Sequence, residues 1–229
     1  MQKGRSKEKG FEIKEMKKDN IYFVSGIDTN VGKSYATGYL AKLWKEKGER
    51  VITQKLVQTG NCGYSEDIDL HRKIMGIEKT IEDKEFLTMP EIFSYPCSPH
   101  LASKIDKREI NFDKIISSTN ILSERYDKVL VEGAGGLMVP LKEDYLTIDY
   151  IKDNNYPLIF VTSGKLGSIN HTILSFEAIK SRSIKLHTLI YNEAIEEGDE
   201  IIIKDTFEYI SNYAKNMFKE IEIILLPRI

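Results

Sequence analysis

Nine consecutive residues, Gly26-Ile27-Asp28-Thr29-Asn30-Val31-Gly32-Lys33-Ser34, have the types and spacing to hold a phosphate. They follow the apolar run 21–25 and precede an amphipathic stretch, so they turn a strand into a helix. At such a turn the backbone N–H groups from Asn30 through Val31 to Ser34 surround an anion at the positive end of the helix. Gly32 allows close backbone approach, Lys33 supplies a point charge, and the Ser34 hydroxyl suits Mg²⁺. The strict Walker A spacing GxxxxGK[ST] asks for Gly where Ile27 stands; here Gly26 lies one position earlier. The mechanism survives that shift, because it rests on the amides that follow.

Magnesium takes oxygen ligands beyond one hydroxyl, normally one or two carboxylates besides the phosphates. Glu132 closes the apolar run 128–131 and opens Glu132-Gly133-Ala134-Gly135-Gly136. A carboxylate at the end of a strand beside the loop's own strand stands where a Walker B acid belongs. Gly133, Ala134 and Gly135 would bring a second stretch of backbone against the phosphates. A dinucleotide fingerprint fails there, since Met138 occupies the last Gly position of GxGxxG. Asp67 is a second carboxylate candidate, but by itself it reads first as the N-cap of a helix over 67–75.

Other chemistries lack their spacing. His71, His100, His171 and His187 form no HxxxH or HExxH pair, which argues against zinc. No GxSxG elbow is present. Cys62 and Cys97 are too far apart for a CxxC site and too few for a disulfide scaffold. Trp44 and the six methionines read as packing residues, and Tyr35 and Tyr39 as residues on a helix face.

Strands and helices must alternate to place these residues. Near-continuous apolar runs at 21–25, 51–55, 128–131, 157–162, 185–191 and 221–226 read as strands covered on both faces. Helical patterns at 32–47, 67–75, 111–126, 168–182 and 199–216 lie between them. The pattern predicts one doubly wound α/β domain with a mostly parallel sheet and helices on both faces. Its ligands should sit at the carboxyl ends of the strands. The one loose region is 76–108, broken by Pro90, Pro96 and Pro99.

Composition agrees. The 229 residues are 41% hydrophobic and 30% charged, which suits one globular domain, here residues 21–229. Residues 1–20 form a basic, solvated leader without the apolar core of a secretory signal. A net charge of −2 lacks the positive field of a nucleic-acid binder. No window approaches the length of a membrane span. The expectation is a cytoplasmic protein without nucleic-acid or membrane partners.

Taken in order, the motifs resemble those of the dethiobiotin synthetase family. GIDTNVGKS is similar to that family's GTDTxVGKT, extra residue included. Gln54-Lys55-Leu56-Val57-Gln58-Thr59-Gly60 resembles its K-P-V-x-[ST]-G segment, with Leu56 in place of Pro. Ser98-Pro99-His100 resembles its SPH turn, residues 129–136 its VLVEGAGG, and residues 165–171 its KLGxINH. The resemblance runs from residue 21 to the end of the chain. It implies a P-loop NTPase-like fold and an enzyme that carboxylates 7,8-diaminononanoate with CO2. ATP then phosphorylates the carbamate, and the second amine closes the ring.

By that resemblance Lys33, Lys55, Thr29 and Thr59 surround the reacting groups, and Ser34, Asp67 and Glu132 hold Mg²⁺. The nucleotide side takes in Asn30 to Ser34, Tyr35, Asp67, Glu132, Gly133, Ala134 and Gly135. Asn192 and Pro227 border the base. Thr59 and the turn Gly167, Ser168, Ile169 and Asn170 take the diamine substrate. The family's turn comes from the second subunit of a homodimer, so a shared active site is expected. The chain stops at Ile229, where family members commonly continue for another short helix.

Two rivals share this sheet. A MinD/ParA-type switch would carry a signature lysine early in the loop, and Ile27, Asp28 and Thr29 provide none. An amidotransferase synthase of the cobyrinate type needs a glutaminase domain, for which the chain has no room.

Overall fold

The computed structural model describes residues 20–193 and 200–228. Residues 1–19 of the leader, Asp199 and Ile229 lie outside the described residues. In chain order the elements are β1 (Ile21–Gly26), α1 (Lys33–Glu46), β2 (Val51–Lys55), β3 (Gln58–Thr59), α2 (Glu66–Met75), α3 (Ile81–Lys84), β4 (Ile92–Phe93), α4 (Pro99–Ile105) and α5 (Phe112–Arg125). They continue with β5 (Lys128–Glu132), β6 (Pro140–Lys142), β7 (Tyr145–Leu146), α6 (Thr147–Asp153), β8 (Leu158–Ser163), α7 (Ser168–Ser181), β9 (Leu186–Asn192), α8 (Glu200–Met217) and β10 (Glu222–Leu226).

Six strands pair in parallel in the order β10-β9-β8-β1-β5-β2. Alternate residues of a strand face opposite sides of a sheet, and the core divides accordingly. Phe23, Val129 and Val131 pack on one side with Ile115 and Leu122 of α5 and Phe176 and Ile179 of α7. Val24 and Leu130 pack on the other with Ala36, Leu40 and Ala41 of α1. Helices therefore cover both faces, and β1 is buried along its whole length.

Asn20 is already tied to this domain: its Nδ2 donates to the carbonyls of Ser123 and Tyr126. The loose region 76–108 is more ordered than its prolines suggest, since α3, β4 and α4 lie in it. Pro99 takes the first turn of α4, where its missing N–H costs nothing, so the Ser98-Pro99-His100 turn begins a helix. A buried ion pair fastens α3 to α2. Arg72 donates from Nε and Nη2 to the two oxygens of Asp83 at 2.8 and 2.7 Å. Asp83 also closes the capping box with Thr80.

Candidate active site

The phosphate loop leaves the central strand and is built by close contact. A Cβ on Gly26 would lie 2.6 Å from Val31 Cγ1 and 2.9 Å from the Val161 carbonyl, so only glycine fits there. Gly32 caps α1 at φ 90°, a left-handed conformation that side chains resist. The first amides of α1, on Lys33, Ser34 and Tyr35, have no acceptor within the helix by its geometry. Lys33 folds back over the loop and donates to the carbonyls of Asp28 and Thr29 at 2.7 and 2.9 Å. Burial brings its ammonium down to about 8, against the pull of Glu132 and Asp67.

Beside the loop four side chains converge. Ser34 Oγ lies 2.7 Å from Asp67 Oδ1 and 2.9 Å from Glu132 Oε1. Lys55 Nζ lies 2.6 Å from Asp67 Oδ2 and 2.8 Å from Glu132 Oε1. It also donates to the Gly133 carbonyl. β2 and β5 deliver Lys55 and Glu132, and α2 delivers Asp67. The N-cap of α2 is Ser65, whose side chain accepts from the Ile68 amide. That removes the capping reading of Asp67, which instead sits in the first turn with its carboxylate turned to the site. Burial alone would raise the Glu132 carboxyl. The Lys55 ammonium and the bond from His71 outweigh it and hold the group well below the ordinary range. Lys55, conversely, is kept above the usual lysine range by the two carboxylates despite its burial.

A cleft of about 400 Å³ opens over this cluster. Its wall includes Thr29, Asn30, Gly32, Lys33, Ser34, Tyr35, Lys55, Thr59, Asp67, Glu132, Ala134 and Gly135. Val31 and Gly133 are buried behind the wall. Asn192 is the last residue of β9 and donates from Nδ2 to the Val31 carbonyl at 3.0 Å, tying that strand to the loop. Pro227 is exposed just after β10.

The turn of Gly167, Ser168, Ile169 and Asn170 does not line this cleft. Ser168 is buried, with its Oγ 3.1 Å from Ser163 Oγ, while Gly167 and Asn170 are exposed. A second cleft of about 550 Å³ runs from Ile27, Asp28 and Thr29 along Met138 to Leu174 of α7.

Three hard oxygens, on Ser34, Asp67 and Glu132, suit a divalent magnesium ion that keeps waters and substrate phosphates as its other ligands. Among the described residues no group of three or more His, Cys, Asp and Glu could hold a metal by itself.

Sequence spacing missed His71. Its Nε2 lies 2.9 Å from Glu132 Oε2, both side chains being fully buried. The available signal was helical: His71 lies four residues after Asp67, on the same face of α2.

The family model described as an AAA domain matches residues 20–223. A Pasteurella multocida protein named ATP-dependent dethiobiotin synthetase BioD 2 is 50% identical over 193 residues, covering 84% of this chain and 90% of that protein. A Haemophilus influenzae protein of the same name is 54% identical over 184 residues, covering 80% of this chain and 96% of that one. Among solved structures, the signal recognition particle receptor FtsY from Elizabethkingia anophelis in complex with GDP superposes with a TM-score of 0.51 at 14% identity. It covers 95% of this chain and 60% of that chain, a likeness of fold. With half or more of its residues identical to these two relatives over at least four-fifths of its length, the chain belongs to the dethiobiotin synthetase family.

Proposed function

We propose that this chain is an ATP- and Mg²⁺-dependent dethiobiotin synthetase. It would convert 7,8-diaminononanoate, CO2 and ATP into dethiobiotin, ADP and phosphate in the cytoplasm. The observation that carries this reading is the convergence of Lys55, Ser34, Asp67 and Glu132 beside the phosphate loop.

In this reading one amine of the substrate adds to CO2 and loses a proton, giving a carbamate. A carbamate oxygen attacks the γ-phosphorus, the bond to the β-phosphate oxygen breaks, and ADP leaves. The second amine attacks the carbonyl carbon of the mixed anhydride and gives up a proton, the bond to the phosphate oxygen breaks, phosphate departs, and the ureido ring closes. Negative charge gathers on the carbamate and the transferring phosphoryl together, so cations fixed in advance around both lower the barrier. Lys33 sits over the loop, Lys55 faces it from β2, and Thr29 and Thr59 offer hydroxyls from two sides of the cleft. Ser34, Asp67 and Glu132 would hold the magnesium ion, which supplies charge neutralisation at the phosphates. Asn192 and Pro227 border the base.

The diamine's carboxylate is assigned to the exposed end of the turn at Gly167 and Asn170 on the second subunit of a homodimer. The free amides of a helix N-terminus favour an anion. Two features support this reading: the turn does not line its own chain's phosphate cleft, and Leu166 beside it is 87% exposed.

Incubation with ATP, Mg²⁺, bicarbonate and the diamine, followed by mass analysis, tests the proposal. Stoichiometric ADP and a ring-closed ureido acid are expected. ATP hydrolysis indifferent to the diamine, with no new product, would instead favour a nucleotide switch acting on a partner protein.

A further inference from the structure

Only one oxygen of Glu132 meets Ser34 and Lys55. The other, Oε2, turns away into the protein and meets His71 Nε2. An ionised carboxylate can only accept, so Nε2 carries the proton of this bond. The second ring nitrogen, Nδ1, lies 3.0 Å from Thr53 Oγ1, which in turn accepts from Arg72 Nη1 at 2.8 Å. Arg72 is fixed by both oxygens of Asp83. A buried chain thus runs from α3 through Arg72, Thr53 and His71 to the carboxylate, and every member has a partner. His71 itself does not line the cleft.

We propose that His71 is a positioning residue: its bond to Oε2 fixes the rotation of the Glu132 carboxylate, so that Oε1 stays with Ser34 Oγ and Asp67 Oδ1 as the seat of the divalent cation. The proposal rests on the reading of those three residues as that seat. The last torsion of a glutamate is broad and two-fold, so without an anchor the carboxylate spreads over many orientations. Removing an outer partner of a ligating carboxylate typically costs about 10–100-fold in metal affinity or activity. The i, i+4 spacing adds economy, because one helix then supplies a ligand, Asp67, and the aim of the other.

The test is Mn²⁺ titration of the full-length protein with a non-hydrolysable ATP analogue, read by the electron paramagnetic resonance of free Mn²⁺. His71→Leu removes the donor, His71→Asn places an amide near Nδ1 only, and His71→Gln carries its amide out towards Nε2. Mn²⁺ affinity is expected to fall about tenfold or more in the Leu and Asn variants and to stay within about threefold in Gln. Folding is checked by circular dichroism, and if Leu does not fold, the comparison of Asn with Gln decides. Equal affinities in Asn and Gln would overturn the proposal, as would wild-type affinity in a folded Leu variant. Loss of fold in all three would overturn it too, in favour of a purely structural histidine. Asp67→Asn separates this inference from the reading beneath it. If Asp67→Asn leaves Mn²⁺ binding intact, the seat itself is misassigned. If it abolishes binding while the His71 variants keep it, only the positioning role falls.

Discussion

Lys55 and Glu132 are register partners on adjacent parallel strands, and their side chains meet at 2.8 Å where the sheet ends. Paired residues of neighbouring strands point to the same face, so the β2–β5 register alone brings the cation to the acid. Asp67 then closes on Lys55 from α2 at 2.6 Å. A buried lysine is thereby held charged between two carboxylates, one of which is wholly buried.

Replacing Lys55 by Met should therefore separate catalysis from cation binding. The loss of a fixed cation beside the transferring phosphoryl is expected to lower kcat about 10²-fold or more. Affinity for Mn²⁺ should hold or rise, because a competing positive charge has left the two carboxylates. Steady-state kinetics and Mn²⁺ titration check both halves, and a near-wild-type kcat would remove Lys55 from the chemistry.

The proposed sharing of the active site between two subunits would make inactive variants complementary. Ser168 is packed inside, so the exposed Asn170 is the position at which to block the turn. Lys33→Ala and Asn170→Trp should each be inactive as homodimers. Random mixing makes half the dimers heterodimeric with one intact site each, so about a quarter of wild-type activity should return. No recovery after verified subunit exchange would mean that each chain builds its own site.

Asp83 gives a pH-dependent stability. Burial would raise its carboxyl, but the hydrogen bonds and charge of Arg72 outweigh this and hold it below 3.8. A carboxyl with a folded value below its unfolded one stabilises fully above the unfolded value and loses that contribution as pH falls through the folded one. Asp83→Asn leaves a buried guanidinium without its charge partner and should cost about 3 kcal/mol at pH 7. Urea unfolding should show the gap between variant and wild type shrinking as the pH drops below 3.8. A gap that stays constant with pH would mean that the charge is not the source.

Gly26→Ala tests the shifted loop. The added methyl meets Val31 and a β8 carbonyl together, and overpacking of this kind costs about 1–3 kcal/mol. Thermal unfolding should register that loss, and ATP affinity should drop because Val31 lies within the loop. An unchanged melting temperature would show that the loop has room to move.

The fold was legible where apolar runs were long. All six sheet strands and the five long helices appear within a residue or two of their expected bounds, because double-sided burial leaves an unmistakable pattern. Short elements escaped. The seven residues of α6 and the two-residue strands β3 and β4 are held by tertiary contacts rather than by periodicity. In the site, the loop could be read because its chemistry is local in sequence, and Glu132 because it closes an apolar strand, whereas Asp67 by itself read as an N-cap and only the family resemblance set it beside Ser34. His71 could not be read, since its partner lies 61 positions away and only the packing of α2 against the β2 side of the sheet brings them together.

The Lys33 ammonium rests on the carbonyls of Asp28 and Thr29, within its own loop. A loop so tethered has little backbone freedom left to surrender, whereas ordering a slack one would cost about 1–2 kcal/mol per residue. An arriving triphosphate exchanges two internal contacts for its own and need not fold anything. Capture should then run at the speed of diffusion and charge attraction, with a small heat-capacity change in calorimetry. On that expectation the loop would be filled by its ligand rather than shaped by it.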